Sequence, residues 1–478
     1  MTLKGENDPI EYKQYRRRYW YAIVVIVLNL SNAMTWICFA PITYHTAAYY
    51  GNDLAPTLFN IVFMVFSIPF GMIAVWFMDR FGLRWGIYFG ATLNLVGNII
   101  RFGASGSFCP KNLRFAIAFT GQSIAAVSQP FIMYLPTKLT GFWFPDTQRN
   151  LANTLTSMSN PVGIAIQYGI SPVIVNNLNS ENFFTLTGIT LGTAILSFLM
   201  SLTVTRSEPP TPVSGSKAST VKTPNCCGGL RMSCCSPQFM LLGVCLGGGV
   251  GLFNALYNNL QPALCTKGYS ETFNGLMGGL LILAGLVGAF ISGMIVDRHK
   301  EWTEYVIKIA FCLAGVGACS LTVAINYVDV QWWIILSLII FGVGGFAVYP
   351  VGLETGVEIT FPVAESMSTG VIIILGQLQG IIYVVITGLA NVKVKASDLA
   401  GQTCSTHTSE QGSIVDWKYS FIVWNACIFV LITLMTIFFR PKLNRMAHDK
   451  KLETLSEMVE KEERVHMVDD KSLSSVES

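Results

Sequence analysis

The sequence is poor in charged residues, which occupy only 12% of its 478 positions. A soluble globular protein carries roughly 25%. Because 52% of the residues are hydrophobic and the mean hydropathy is +0.50, the chain has too little polar surface to cover a water-facing body. This composition argues against a soluble enzyme and indicates a protein embedded in a lipid bilayer.

Histidine is also rare, and cysteine follows no regular pattern. None of the five histidines lies in the middle of an apolar run, and we find no nucleophile or metal-ligand constellation at membrane depth, so we expect no enzymatic activity, no metal and no cofactor. The net charge of +3 is small, so nothing suggests nucleic-acid binding.

Long apolar runs are the dominant feature. A helix needs about 20 mainly apolar residues to cross the hydrocarbon, and twelve runs approach or exceed that length. The run at 150–175 is the most weakly apolar, being rich in Asn, Ser, Thr and Gly, which is typical of a helix that faces a polar cavity. In chain order the predicted spans are 19–44, 55–78, 83–104, 114–138, 150–175, 183–205, 238–264, 272–296, 303–325, 330–353, 366–391 and 418–440.

Lysine and arginine are concentrated in alternate connections, which predicts the orientation. Arg16–Arg18 precede the first span, several bases lie between the sixth and seventh spans, and Arg440 follows the last, whereas 45–54 and 176–182 carry none. The bases that break this pattern are fewer: Arg101, Lys111, Arg114, Lys393 and Lys395. The even number of spans places both tails, 1–18 and 441–478, on one side of the membrane. We predict that this side is the cytoplasm.

A polar segment divides the spans into two sets of six. Residues 206–237 are rich in Pro, Ser and Lys, as linkers are, so we predict an N-terminal bundle at 19–205 and a C-terminal bundle at 238–440. The predicted fold class is an all-α membrane protein with twelve transmembrane helices in two pseudo-symmetric six-helix bundles. Duplicated halves are a known transporter plan in which the substrate is held between them near mid-bilayer.

Two acidic–basic turns occur at matching places in the two halves. The first comprises Asp79, Arg80 and, after Phe-Gly-Leu, Arg84; the second begins with Asp297 and Arg298. We predict that these residues form a cytoplasmic gate, in which an acid pairs with a base or caps a helix N-terminus in one transport state only. The alternative is a static loop ion pair, worth about 0–1 kcal/mol.

Two further acids, Glu354 and Glu358, lie four residues apart near the predicted cytoplasmic edge. Like charges at this helical spacing repel, so we expect basic partners and consider Arg298 or Arg84. Their position favours a role in the gate over a proton relay. Without an acid in mid-membrane, we predict facilitated, uncoupled transport.

Several motifs resemble known transporters. The Asp-Arg-x-Gly-x-Arg turn resembles the major facilitator superfamily signature between its second and third helices. A narrower resemblance is to the feline leukaemia virus subgroup C receptor family, and within it to the branch called major facilitator superfamily domain-containing protein seven. The matching motifs are Asn32-Ala33-x-x-Trp36-Ile37, Ser128-Gln129-x-Phe131-Ile132-x-x-Leu135-Pro136, Gly352-Leu353-Glu354 with Val357-Glu358-Ile359-Thr360-x-Pro362, and Ser368-Thr369-Gly370 with Gln377.

The resemblance implies a substrate pocket. That family is associated with choline and ethanolamine transport, and its pocket uses a first-helix tryptophan, a seventh-helix tyrosine and two glutamines. The matching residues here are Trp36, Gln129 and Gln377. The tyrosine position becomes Phe253 or Asn254, depending on a one-residue choice of alignment. An aromatic wall suits a quaternary ammonium, which has no N–H to donate.

Other functions remain open at this stage. The family is also associated with haem export, and His45 and Tyr49 near the predicted outer mouth are candidates to contact haem. A receptor that keeps a transporter fold without transporting is a further alternative. We expect a monomer in the plasma membrane whose partners are a small molecule and the bilayer.

The cysteines suggest two modifications. Cys226, Cys227, Cys234 and Cys235 are spaced unlike the usual zinc ligands and lie beside a span, which favours palmitoylation. Cys109 and Cys404 both fall in predicted outer connections, where a disulfide between them is conceivable, but the sequence does not set their distance.

Overall fold

The computed structural model describes residues 14–145, 147–175, 179–211, 226–393 and 415–448. Within these ranges the protein is almost entirely helical. A two-residue antiparallel pair, β1 (Val392–Lys393) with β2 (Val415–Asp416), is the exception, with Val392 opposite Asp416.

The N-terminal half supplies the first six passes. Its helices, in chain order, are α1 (Arg17–Ile37), α2 (Thr43–Tyr50), α3 (Ala55–Ala104), α4 (Lys111–Met133), α5 (Leu135–Trp143), α6 (Arg149–Ser157), α7 (Ser159–Ile174) and α8 (Ser180–Ser201).

The C-terminal half begins with a short helix, α9, that precedes the seventh pass. Its elements are α9 (Cys226–Cys235), α10 (Pro237–Cys265), α11 (Glu271–Arg298), α12 (Thr303–Ala324), α13 (Gln331–Thr360), α14 (Glu365–Leu389) and α15 (Lys418–Phe438).

Ten helical stretches of the described chain are long and apolar enough to cross a membrane, and two details account for twelve passes. Helix α3 has 50 residues, too many for one crossing, and it reverses direction at Gly82, whose φ of 83° is open to glycine at little cost. The pass formed by α6 and α7 is not among the ten, in keeping with the weak hydropathy of its sequence.

Several passes are broken where the sequence predicts a continuous helix. The first is interrupted after Ile37 by a 3₁₀ turn, Ala40–Ile42, that contains Pro41. The fourth is interrupted at Tyr134, just before Pro136, because proline has no backbone N–H to donate to a helical hydrogen bond.

The tenth pass is longer than predicted. Its helix continues to Thr360, beyond the predicted end at 353.

The two halves meet through equivalent pairs of helices. The N-terminal arm of α3, the second pass, packs against α14, the eleventh, and α7, the fifth, packs against α11, the eighth. Exchanging the halves converts the first pairing into the second, so the fold has the expected pseudo-two-fold symmetry. The space left between these two seams contains the candidate site.

Candidate functional site

A cavity of about 120 Å³ lies between the two halves. Its walls come from α1, α4 and α7 on one side and from α10, α12, α13, α14 and α15 on the other. Aromatic rings and aliphatic side chains dominate the lining, and none of the described lining residues is charged. The five residues predicted for the pocket all line this one cavity.

Trp36 and Gln129 form the N-terminal wall. Trp36 is 5% exposed, and its indole N–H donates to the backbone oxygen of Asn60 at 3.3 Å, which fixes the ring against the second pass. The Gln129 side-chain oxygen accepts from the Ser67 hydroxyl at 2.9 Å. This bond fixes the orientation of the Gln129 amide at the cavity.

Phe253, Asn254 and Gln377 form part of the opposite wall. The alignment left open whether Phe253 or Asn254 faces the pocket, and in the structure both of these α10 residues line the cavity. The Phe253 ring lies 4.6 Å from that of Phe341 and 4.8 Å from that of Phe346, measured between ring centroids. An aromatic wall therefore remains where the resemblance leads us to expect a tyrosine.

Other lining residues were missed by the sequence analysis. Tyr257 lies one helical turn beyond Phe253 on α10, a spacing that would have suggested it, and Asn160 comes from the weakly apolar fifth pass. The Tyr257 hydroxyl and the Asn160 amide nitrogen are buried and have no hydrogen-bond partner among the described residues. Tyr349 adds a second phenol to the wall.

Asp79 connects the halves on the predicted cytoplasmic side. Its carboxylate lies 3.0 Å from the ammonium of Lys138 in its own half and accepts a hydrogen bond from Ser366, the second residue of α14. Asp79 therefore reaches across the seam to a helix N-terminus, where its negative charge is favoured.

Asp297 makes the equivalent contact from the other half. Its Oδ2 accepts from the backbone N–H of Leu151, in the first turn of α6, at 2.9 Å. The second-pass acid thus meets the start of the eleventh pass, and the eighth-pass acid meets the start of the fifth. The repeated turn in the sequence corresponds to a repeated inter-half contact.

The arginines of these turns lie elsewhere. Arg80 is exposed over the rings of Trp76 and Phe81, and Arg298 is also exposed. Arg84 donates from its side chain to Tyr88 within the N-terminal half. Among the described contacts, Asp79 and Asp297 span the seam, and Arg80 and Arg84 do not.

Glu354 and Glu358 have partners other than those expected. Both lie in the last turns of α13, but Glu354 is paired with Arg149 of the fifth pass at 3.9 Å, not with Arg298 or Arg84. Glu358 Oε2 accepts from the backbone N–H of Met446 at 3.1 Å. The Arg149–Glu354 pair is buried and joins the two halves, so breaking it is expected to be costly.

Polar contacts also join the halves on the opposite side of the cavity. The Asn60 side-chain amide donates to that of Asn258 at 2.9 Å, and the Tyr168 hydroxyl donates to the backbone oxygen of Tyr257 at 2.6 Å. Asn60 is also the residue whose backbone accepts from Trp36. The cavity therefore has inter-half contacts above and below it.

Two peripheral expectations change. Cys109 is a free buried thiol, so it is not bonded to Cys404, which lies outside the described residues. Among the cysteines whose side chains the structure describes, Cys265 is the one in a disulfide. His45 is a buried residue of α2, and Tyr49 stacks on Phe183 with ring centroids 3.9 Å apart. Neither residue lines the cavity.

Comparisons with known proteins agree with this architecture. The family model described as Major Facilitator Superfamily matches residues 24–395. The chain is 34% identical to "Solute carrier family 49 member A3" of Xenopus tropicalis, covering 95% of this chain and 94% of the relative. It is 27% identical to "Choline/ethanolamine transporter FLVCR2" of Homo sapiens, covering 96% and 84%.

Solved structures agree in fold. The proton:xylose symporter XylE, bound to 6-bromo-6-deoxy-D-glucose, superposes with a TM-score of 0.68 at 14% identity, over 90% of this chain and 98% of that one. The transporter FucP in the outward conformation gives a TM-score of 0.63 at 13% identity, over 89% and 100%. At these identities the likeness concerns the fold alone.

Proposed function

Because this chain belongs to the Major Facilitator Superfamily and is a multi-pass membrane transporter, we propose that it carries a small organic cation such as choline or ethanolamine. Transport proceeds by alternating access, in which the two halves rock around the central cavity. Movement down the substrate gradient drives it, without a coupled ion.

The observation that carries the proposal is an aromatic cavity with no charged residue among its described lining. Trp36, Phe253, Tyr257, Phe341 and Phe346 all contribute rings. A desolvated cation over an aromatic face gains about 2 kcal/mol or more. A neutral cavity of this kind favours an ammonium group, whereas it offers no counter-charge to an anion.

The polar lining groups suit the other end of such a molecule. The Asn160 amide nitrogen and the Tyr257 hydroxyl have no partner among the described residues, and an unpaired buried polar group costs about 1–3 kcal/mol. A substrate hydroxyl placed between them would accept from the Asn160 amide nitrogen and pair with the Tyr257 hydroxyl, which would satisfy both groups. The amides of Gln129 and Gln377 provide further donors and acceptors at the wall.

The volume favours a small molecule over haem. At roughly 10–15 Å³ for one water, a cavity of about 120 Å³ holds on the order of ten waters. This room suits choline or ethanolamine, whereas haem is several times larger. The related protein of 27% identity bears the name choline/ethanolamine transporter, which supports the same substrate class.

The inter-half contacts support a gating role for the acids. Asp79 and Asp297 hold the ends of α14 and α6 on one side of the cavity, and Arg149–Glu354 adds a buried pair there. All three contacts must break for that side to open. The hydrogen bond between Asn60 and Asn258 joins the two halves on the other side of the cavity.

The remaining proposals concern the membrane and the assembly. We propose that the protein acts as a monomer in the plasma membrane, with residues 1–18, the linker 206–237 and residues 441–478 in the cytoplasm. The distribution of lysine and arginine supports this orientation. The assignment to the branch called major facilitator superfamily domain-containing protein seven is likewise a proposal, supported by the resemblance of Phe39-Ala40-Pro41 in the first pass and Pro69-Phe70-Gly71 in the second.

The test is uptake by proteoliposomes that contain the purified protein. Labelled choline and ethanolamine should accumulate to the external concentration and stop, and an excess of unlabelled choline should compete. Labelled haem and xylose should enter no faster than into protein-free vesicles. Protein-dependent haem entry without choline entry would overturn the substrate assignment, and entry of none of the four would overturn the proposed substrate class.

A further inference from the structure

The short helix α9, Cys226–Cys235, presents several thiols on one face. Cys227, Arg231 and Cys234 are spaced at i, i+4 and i+7, so they share a side of the helix, and Cys235 adjoins it. All three thiols are exposed. The opposite side carries Ser233, which is buried, so the helix has a fixed outward face.

This helix lies at the end of the seventh pass. Ser236 separates it from α10, and the Ser236 hydroxyl accepts from the backbone N–H of Phe239 as an N-cap. Two residues into α10, the Gln238 side chain bonds the backbone of Phe438 and Arg440 at the end of the twelfth pass. The thiols therefore lie at the level where two passes leave the hydrocarbon, beside a basic residue suited to lipid headgroups.

We propose that Cys227, Cys234 and Cys235 are sites of S-acylation by long-chain fatty acids. The donor is a long-chain acyl-coenzyme A, and the reaction is catalysed by a cellular acyltransferase. The cysteine sulfur attacks the thioester carbonyl, a new carbon–sulfur bond forms, and the bond to coenzyme A breaks. The cysteine proton is lost, coenzyme A leaves as its thiolate and takes up a proton, and no oxidant or reductant is needed.

Two observations favour acylation over the alternatives. The described thiols Cys227, Cys234 and Cys235 are seven residues apart or adjacent in sequence, unlike the C-x2-4-C pairs that usually hold zinc, which argues against a zinc site on α9. Exposed thiols beside a span on a short surface helix are also the usual setting of reversible palmitoylation. The proposal rests on the cytoplasmic orientation of the linker and is independent of the substrate.

The chain provides a matched control. Cys312 and Cys319 are also exposed, but they lie seven residues apart in the interior of α12, more than one helical turn from either end, so they face lipid at membrane depth. A transferase acting at the membrane surface reaches α9 but does not reach them. The cysteines of α9 and those of α12 are therefore alike in exposure but differ in their depth in the membrane.

The experiment is metabolic labelling of the full-length protein in cultured cells with an alkynyl palmitate analogue. The unaltered protein should carry a label that hydroxylamine removes. The variant C227S/C234S/C235S should lose at least nine-tenths of it, while C312S/C319S keeps it, with both variants compared at equal surface expression. In an assay that exchanges each acyl group for a mass tag, C227S, C234S and C235S should each remove one band.

Three results would overturn the proposal. These are the absence of hydroxylamine-sensitive label in the unaltered protein, full label in the triple variant, and loss of label in C312S/C319S. A triple variant that fails to reach the membrane is replaced by the three single variants, whose band counts decide the same question.

Discussion

The sharpest test of the proposed cavity is the replacement of Trp36 by alanine. The indole is 5% exposed, lines the cavity and donates one hydrogen bond to Asn60. Loss of a desolvated cation–π contact of about 2 kcal/mol, at 1.4 kcal/mol for each tenfold, predicts a rise of about 30-fold in the KM for choline. Phenylalanine keeps a ring but loses the hydrogen bond, so Trp36→Phe should raise KM only a few-fold.

Trp424 provides the matched control. It is also a buried tryptophan, 2% exposed, and its indole N–H donates to the backbone oxygen of Leu252 at 2.9 Å, but it does not line the cavity. The assay is initial-rate uptake of labelled choline, normalised to protein at the cell surface. Trp424→Ala should lower the amount of protein and leave KM unchanged. An unchanged KM in Trp36→Ala, or equal rises in Trp36→Ala and Trp424→Ala, would refute the reasoning.

Three further predictions concern gating and coupling. The double variant Asp79→Asn/Asp297→Asn removes both gate charges and should weaken their contacts with Ser366 and Leu151 by about 1 kcal/mol. A cysteine introduced at Met133, which lines the cavity, should then react roughly fivefold faster with a cytoplasmic thiol reagent. The control variant Asp416→Asn should not change this rate, because the pair of Asp416 with Lys267 lies within the C-terminal half. Arg149→Met leaves the Glu354 carboxylate buried without that partner and should destabilise the purified protein by about 3 kcal/mol in a thermal unfolding assay. Adding Glu354→Gln should restore most of this loss, and additive losses would contradict the pairing. Because the described cavity lining has no charged residue, steps of pH or sodium should leave choline uptake unchanged, and a proton current that accompanies choline would contradict uncoupled transport.

Most of the fold was predictable because each helix that crosses a membrane requires a long apolar run, which is visible in the sequence. The apolar runs located the passes, and the repeated Asp-Arg turns predicted two equivalent halves. The predicted end of the tenth pass, at residue 353, was wrong. The hydropathy falls at Glu354 and Glu358, but the helix continues to Thr360. Those carboxylates are buried against protein groups rather than lipid, which a hydropathy profile does not distinguish.

The site was predictable only in part. Trp36, Gln129 and Gln377 came from motif resemblance, and all three line the cavity. The rings of Phe341 and Phe346 carry no local signal in the sequence, since they reach the cavity where α13 packs against Phe253 of α10. That packing joins helices that are distant in sequence.

The partners of the gate acids were equally hidden. Arg149 and Glu354 are separated by about two hundred positions, and Asp297 accepts from the backbone N–H of Leu151, which any residue except proline would offer. The repulsion between Glu354 and Glu358 predicted basic partners, for which Arg298 and Arg84 were the candidates, but it could not identify Arg149. The true contacts follow from the way the fifth pass crosses the eighth and tenth.

An organic cation lying between the two halves against aromatic rings is the central feature of the proposed mechanism. The direct measurement is a cryo-electron microscopy map of the purified protein in lipid nanodiscs at saturating choline, compared with a map without it. We expect added density within the central cavity, with the trimethylammonium group against Trp36 and the hydroxyl toward Asn160 or Tyr257. Identical maps, or choline density outside this cavity, would contradict the central claim.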